Sequence, residues 1–224
     1  MEQFKIIKRN FLFWGKYGIQ MTAILIGFVV VYGIFFSFGD SSDGGFWTSA
    51  NYFAILIGIL FNYIGPISYG GTYIPMVLSF GSGRKEAAWG AQLLYGVYAV
   101  TAYLFVLLTG YLSAGRVDGF KNILIAEGFV LCVAFGQICT VLQMRYGKKG
   151  MVFGILITVA VIVSIGAGFV MGSGLIDTLT AWIGNLSGRV ISGALFAGAA
   201  VAIVLYVISL ILQLRVVSKY EVRV

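Results

Sequence analysis

The sequence predicts an all-α integral membrane protein with six transmembrane helices and both termini in the cytoplasm. Three observations predict it. Apolar runs of about 20 residues recur along the 224-residue chain, the length that crosses a hydrocarbon core of roughly 30 Å as helix. Charged residues make up 10% and hydrophobic residues 60%, with a mean hydropathy of +0.98, whereas soluble domains carry about 25% charged residues. The basic residues fall almost entirely in alternate loops. Outer-membrane strands are excluded, since these would run for about 10 residues and alternate in polarity.

The first 18 residues form a unit of their own. Phe4, Ile7, Phe11 and Trp14 recur at three- and four-residue steps, with Lys5, Arg9 and Lys16 between them. That pattern predicts an amphipathic helix lying in the interface. Residues 19–224 then form one transmembrane domain. Its first apolar run, Ile19 to Phe38, has 20 residues against about 7–15 for a signal-peptide core, so it reads as a retained first span.

The spans fall at 19–38, 52–79, 88–113, 123–144, 150–171 and 190–213. Lys5, Lys8, Arg9 and Lys16 precede span one. Arg84 and Lys85 join spans two and three. Arg145, Lys148 and Lys149 join spans four and five, and Arg215, Lys219 and Arg223 follow span six. These 12 of the 15 basic residues share one side; Arg116, Lys121 and Arg189 take the other. The positive-inside rule puts the richer side in the cytoplasm, and an odd number of spans would scatter the basic loops. The net charge of +7 is therefore topological and not a nucleic-acid footprint.

Span two holds both prolines of the chain, Pro66 and Pro75, with Gly65, Gly70 and Gly71 around them. Each proline removes a backbone donor and opposes a straight helix. The span is expected to be kinked, either flexing or statically filled by its neighbours. It leads into a cytoplasmic loop over 80–90 whose Arg84, Lys85 and Glu86 concentrate three charges in a charge-poor chain. Between spans five and six, Leu175, Leu179, Trp182 and Leu186 again keep helical spacing over a stretch too short to cross. It is expected to lie at the outer interface or to re-enter the membrane.

The chain carries no enzyme signature. Gly15-Lys16 and Gly147-Lys148 are not followed by Ser or Thr, and Asn10 and Leu142 stand where a nucleotide-binding loop needs its first glycine. There is no histidine, which excludes His-based metal sites and His acid–base catalysis. Cys132 and Cys139 are seven residues apart in one run, about 10 Å in helical rise, too far for a disulfide.

Polar residues inside spans are the remaining candidates. Glu127 falls near the outer end of span four, either within the membrane, where a carboxylate marks a cavity or partner, or at the headgroups. Gln137 lies deeper and Asn62 sits inside span two; each suits an interhelical hydrogen bond better than a substrate contact. Small residues mark packing faces: Gly128, Cys132 and Gly136 in span four, Gly168 and Gly172 in span five, and Gly193/Ala197 with Ala194/Gly198 in span six.

The order of these parts, with the stretch SFGSGRKEAAWGAQLL over residues 79–94, resembles the permease subunits of ABC-2-type transporters. The resemblance covers the whole chain in topology and is specific in sequence around 79–94. It implies that Ser82, Gly83, Arg84, Lys85 and Glu86 form a coupling helix that docks in a cleft of a separately encoded ATPase subunit. It implies that Phe4 to Trp14 are the connecting helix and that 173–188 cap the outer end of the path. It further implies two ATPase copies, a second permease copy or paralogue, and a bacterial cytoplasmic-membrane location. ATP and Mg would sit on the partner, with no cofactor on this chain. The chain lacks the large outer loop of polysaccharide and sterol transporters, so the resemblance points to small exporters of amphipathic peptides, bacteriocins or drugs.

Two other classes fit these residues less well. Membrane substrate-capture subunits of vitamin importers also have six helices, but dock through repeated A-x-x-x-A faces; span one offers Ala23 and Gly27 alone. A proton-coupled secondary transporter would want several intramembrane carboxylates or histidines, against Glu127 here.

Overall fold

The computed structural model describes residues 12, 15, 16, 19, 23, 24, 26–31, 34, 45–79, 81, 83–116, 119–147, 149, 150, 152–157, 159, 160, 163 and 188–219. Phe4, Ile7, Phe11, Trp14, Ser82, the segment 173–187 and Gly168 and Gly172 lie outside the described residues. Among the described residues the chain is helical, with no strand. The elements are α1 (Gly45–Ser68), a π-helical segment (Tyr69–Tyr73), α2 (Ile74–Ser79), α3 (Arg84–Ala114), α4 (Gly119–Tyr146) and α5 (Gly188–Lys219).

Among the described residues, four stretches are long and apolar enough to cross a membrane: Phe46–Ser79, Arg84–Ala114, Gly119–Tyr146 and Leu195–Lys219. They correspond to the expected spans two, three, four and six. The chain is thus an all-α protein with the makeup of a multi-pass membrane protein. Each described residue of the expected spans one and five is helical as well. Cys132 and Cys139 are free thiols, as their spacing requires.

Several boundaries differ from the sequence reading, among them the start of α4 at Gly119 instead of residue 123 and the end of α5 at Lys219 instead of residue 213. The second crossing begins at Gly45 instead of residue 52, so Thr48 and Asn51 belong to a helix end and not to a loop. The third begins at Arg84 instead of residue 88. The reason is local: in RKEAAWGAQLL every residue but Gly90 is helix-compatible, and Glu86 sits at the third position, where a carboxylate favours the helix start. Only the residues between Ser79 and Arg84 remain as a connection, with Gly81 at φ +79° making the turn.

α1 packs against both α3 and α4, and α4 packs against α5. Close approach of α1 to α4 depends on glycine. A Cβ on Gly136 would meet the Tyr63 carbonyl and lie 3.1 Å from Pro66 Cβ; one on Gly70 would run into Thr140. These glycines let the backbones touch, as small residues do in membrane bundles. Gly136 fulfils the expected packing role, whereas Gly128 and Gly193 face open space. The largest buried cluster joins Tyr73, Ile74 and Val77 to Ala87, Ala88, Ala91, Leu94 and Tyr95, with Val133 and Val217. It lies at the Arg84 end of the bundle and holds the start of α3 against its neighbours.

Candidate coupling end and buried glutamine network

The site begins at the irregular part of the second crossing. Pro75 has no N–H, and its ring would crowd the carbonyl of residue 71 in a regular helix. The backbone answers by widening: over Tyr69–Tyr73 it is π-helical, and the Ile74 N–H donates to the Tyr69 carbonyl, five residues back. Pro66 lies inside α1 one turn earlier. Its carbonyl accepts from Thr140 Oγ1 at 2.7 Å and from Tyr95 OH at 3.5 Å. A π segment braced from α3 and α4 thus lies between the two prolines. The Tyr69 ring packs edge-on against Tyr73 and Tyr95, and its hydroxyl meets that of Tyr98 at 2.8 Å.

Beyond α2 the chain turns into the charged stretch. Gly83 takes the N-cap position of α3 in an extended conformation, and the Ala87 N–H donates to its carbonyl at 3.0 Å. Glu86 folds back so that its carboxylate lies against Gly83, where a Cβ would collide with it. Arg84 and Lys85 are exposed. Arg84 Nη1 donates to the carbonyl of Ser218 at 3.0 Å, tying the start of α3 to the end of α5. Directly behind the charges, Ala87, Ala88 and Ala91 are almost wholly buried. Charges outside and alanines inside make this a rigid helix end and not a free loop.

Two turns further in lies a polar network that crosses three helices. Gln92 Nε2 donates to Gln213 Oε1 at 2.6 Å. Gln92 Oε1 accepts from Gln137 Nε2 at 3.0 Å and from Tyr206 OH at 2.9 Å. Ser209 Oγ donates to Gln137 Oε1 at 2.7 Å. Gln137, Ser209 and Gln213 are fully buried and Gln92 is 7% exposed. In an apolar surrounding such amides keep their partners, because an unpaired amide costs about 1–3 kcal/mol.

The remaining sequence candidates do not join this network. Asn62 is buried, but its Nδ2 donates within its own helix to the Gly58 carbonyl at 2.8 Å, so the interhelical bond expected of it is not made through that group. Glu127 is half-buried on α4, six residues or about 9 Å along the helix from Lys121. A Cβ on Gly198 of α5 would lie 2.5 Å from its Oε2, and its Oε1 is buried with no hydrogen-bond partner among the described residues. The carboxylate is thus pressed between two helices.

Comparison with protein-family models, with curated proteins and with solved structures found no match.

Gln137 is the one network member that sequence reasoning singled out. Gln92, Tyr206, Ser209 and Gln213 were missed. Their only signal was an amide or hydroxyl in an apolar run, and a single sequence does not show which of these face one another. The structure brings Gln137 together with the helix that carries Arg84, Lys85 and Glu86, and it sets Pro66 and Pro75 on either side of the π segment beside them.

Proposed function

We propose that the chain is the membrane-spanning permease subunit of an ATP-driven ABC exporter, coupled to a separate ATPase. The observation that carries the reading is the Arg84–Glu86 helix start. It presents charges at one end of the bundle, is backed by buried alanines, and is bonded through Arg84 to Ser218 at the end of the last helix. A force applied there is delivered to a 31-residue rigid helix and to α5 together. Gln92 repeats the tie about 12 Å further in, eight residues along α3. The braced π segment next to it supplies an element with a second backbone register, as π segments at functional sites do.

In this reading six spans place both termini in the cytoplasm of a bacterial cell, with residues 1–18 as the interfacial connecting helix. Two permeases, identical or related, pair above two ATPase copies that bind ATP and Mg. Closure of the ATPases presses the Arg84 ends inward. α3 and α5 then move together and expel an amphipathic peptide, bacteriocin or drug. A second reading, a proton-coupled transporter, draws on Glu127 and its unpartnered buried oxygen.

The test is direct. The chain is co-expressed with the ATPase encoded beside it, and ATP turnover in lipid is measured with Arg84→Glu and Glu86→Lys combined. Loss of ATPase capture or of turnover supports the coupling role; normal capture with normal turnover rejects it. If Glu127→Gln alone abolishes proton-driven uptake in vesicles without any ATPase, the second reading replaces the first.

A further inference from the structure

The last helix leaves one face uncovered, and that face changes character at its end. Val204, Ile208, Ile211, Arg215 and Lys219 recur at steps of three and four residues, so they form one stripe along α5. All five are exposed. Ala202, Ser209, Gln213 and Val217 are buried and fall on the opposite side of the helix, so the stripe points away from the bundle. We propose that this stripe binds a phospholipid with an anionic headgroup. The acyl chain lies along Val204, Ile208 and Ile211, and the phosphate meets Arg215 and Lys219, with Arg84 beside them.

The first argument is charge. Arg84 Nη1 donates to the carbonyl of Ser218 at 3.0 Å, and Ser218 stands between Arg215 and Lys219 in the chain. Cations from two helices therefore gather around one helix end. A guanidinium carries five N–H donors, and the bond to Ser218 uses one of them. Glu86 and Glu127 are the only carboxylate side chains among the described residues. Glu86 folds back against Gly83, and Glu127 lies near the start of α4, at the opposite end of the bundle. The described side chains thus give this end a surplus of positive charge, and a phosphate would answer it.

The second argument is depth. Trp89 and Tyr111 are both exposed on α3. Their separation along the helix is about 33 Å, close to the roughly 30 Å of a hydrocarbon core, as expected of aromatic residues at its two boundaries. Arg84 lies about 7.5 Å beyond Trp89 along the same helix, within a headgroup layer of about 5–8 Å. The bond to Ser218 brings the end of α5 to that level. Ile211 precedes Arg215 by about 6 Å, so the stripe turns from apolar to basic where acyl chains give way to phosphates.

The third argument is continuity. A soluble anion would use the cations and leave the apolar stripe idle. An acidic protein surface would do the same, since the stripe runs back into the hydrocarbon. A phospholipid joins an apolar chain to a charged group in the order that the helix presents them. Arg215 and Lys219 also favour the end of a helix, where cations answer the last carbonyls; that role acts on stability without lipid and is read separately. Neither residue is used by the transporter reading, and this inference does not depend on it.

The experiment uses the full chain, purified in detergent, with native mass spectrometry to count retained lipid. Phosphatidylglycerol and phosphatidylcholine with the same acyl chains are offered in competition, and glycerol 3-phosphate is added as a headgroup without tails. The expected result is retention of phosphatidylglycerol over phosphatidylcholine. Each Lys or Arg near an anionic lipid is worth about fivefold in affinity, so R215A/K219A should weaken retention roughly 25-fold, while R215K/K219R keeps it. Equal retention of the two lipids by the unaltered chain, or undiminished phosphatidylglycerol in R215A/K219A, overturns the assignment. So does displacement of phosphatidylglycerol by an equal concentration of glycerol 3-phosphate, which would reduce the surface to an anion site. R215A/K219A that keeps its lipid but loses a protein partner would give the face to an acidic protein surface and overturn it as well. Thermal unfolding in lipid-free detergent, compared between R215A/K219A and R215K/K219R, separates loss of binding from loss of fold.

Discussion

Gln92 and Gln213 meet at 2.6 Å across the interior, and the same two helices are joined again at the surface by Arg84 and the Ser218 carbonyl. Eight residues separate the two contacts on α3 and five on α5. Two ties this far apart fix the angle between helices as well as their distance. One tie is buried and polar in an apolar core; the other is exposed at the charged end. Their energetic weights should therefore differ, and so should the consequences of breaking them.

Breaking the inner tie should weaken the fold. Gln92→Leu removes the donor to Gln213 and the acceptor of both Gln137 and Tyr206. The expected loss is about 1–2 kcal/mol, allowing for the modest worth of interhelical bonds in membranes. Gln213→Leu breaks one bond and should cost less. Thermal unfolding in detergent ranks the two, and a Gln213→Leu loss exceeding that of Gln92→Leu would contradict the hub role of Gln92.

The glycines of α4 make a paired prediction. Gly136→Ala places a methyl against the Tyr63 carbonyl and Pro66, neither of which is a flexible side-chain end. It should destabilise by about 1–3 kcal/mol. Gly128→Ala has open space and should be neutral or gain up to about 1 kcal/mol from helix propensity. Equal melting temperatures for the two variants would show that α1 and α4 do not approach closely at Gly136.

These contrasts mark what the sequence could and could not tell. Long apolar runs are a one-dimensional property, so the four crossings described were legible. Pro66 and Pro75 announced an irregular helix, because a proline acts on its own backbone. That the irregularity would be a π segment flanked by bonds from Thr140 and Tyr95 to the Pro66 carbonyl was not legible, since those partners come from other helices. The helical start at Arg84 was hidden in the residue pattern by its charges, which read as a loop, although the family resemblance implied a helix there. Gln92 and Gln213 were invisible as a pair because 121 residues separate them. Asn51 looked like the edge of a loop until the helix was seen to begin at Gly45.

The π segment is open to a backbone test. Pro75→Ala returns an N–H donor and removes the ring that crowds residue 71. The stretch Tyr69–Tyr73 should then tighten towards regular helix. Hydrogen exchange over residues 69–79 should slow by roughly tenfold, the effect of about 1.4 kcal/mol. In the transporter reading, substrate-stimulated ATP turnover should fall in the same variant even though the fold is firmer. Faster exchange in Pro75→Ala would mean that proline supports this segment instead of forcing it open.

The outer tie should behave in the opposite way to the inner one. Arg84 is exposed, and its bond to the Ser218 carbonyl is open to water. Exposed polar contacts of this kind contribute roughly 0–1 kcal/mol, because water competes for both partners. Arg84→Ala should therefore leave the melting temperature nearly unchanged. If the helix start is where an ATPase grips the chain, the same substitution should still reduce ATPase capture several-fold, and Lys85→Ala should do likewise. Gln92→Leu should show the reverse pattern, with a lower melting temperature and near-normal capture of the ATPase. Pull-down yield set against melting temperature for the three variants separates the roles, and Arg84→Ala losing stability and capture in step would reduce Arg84 to a structural clamp.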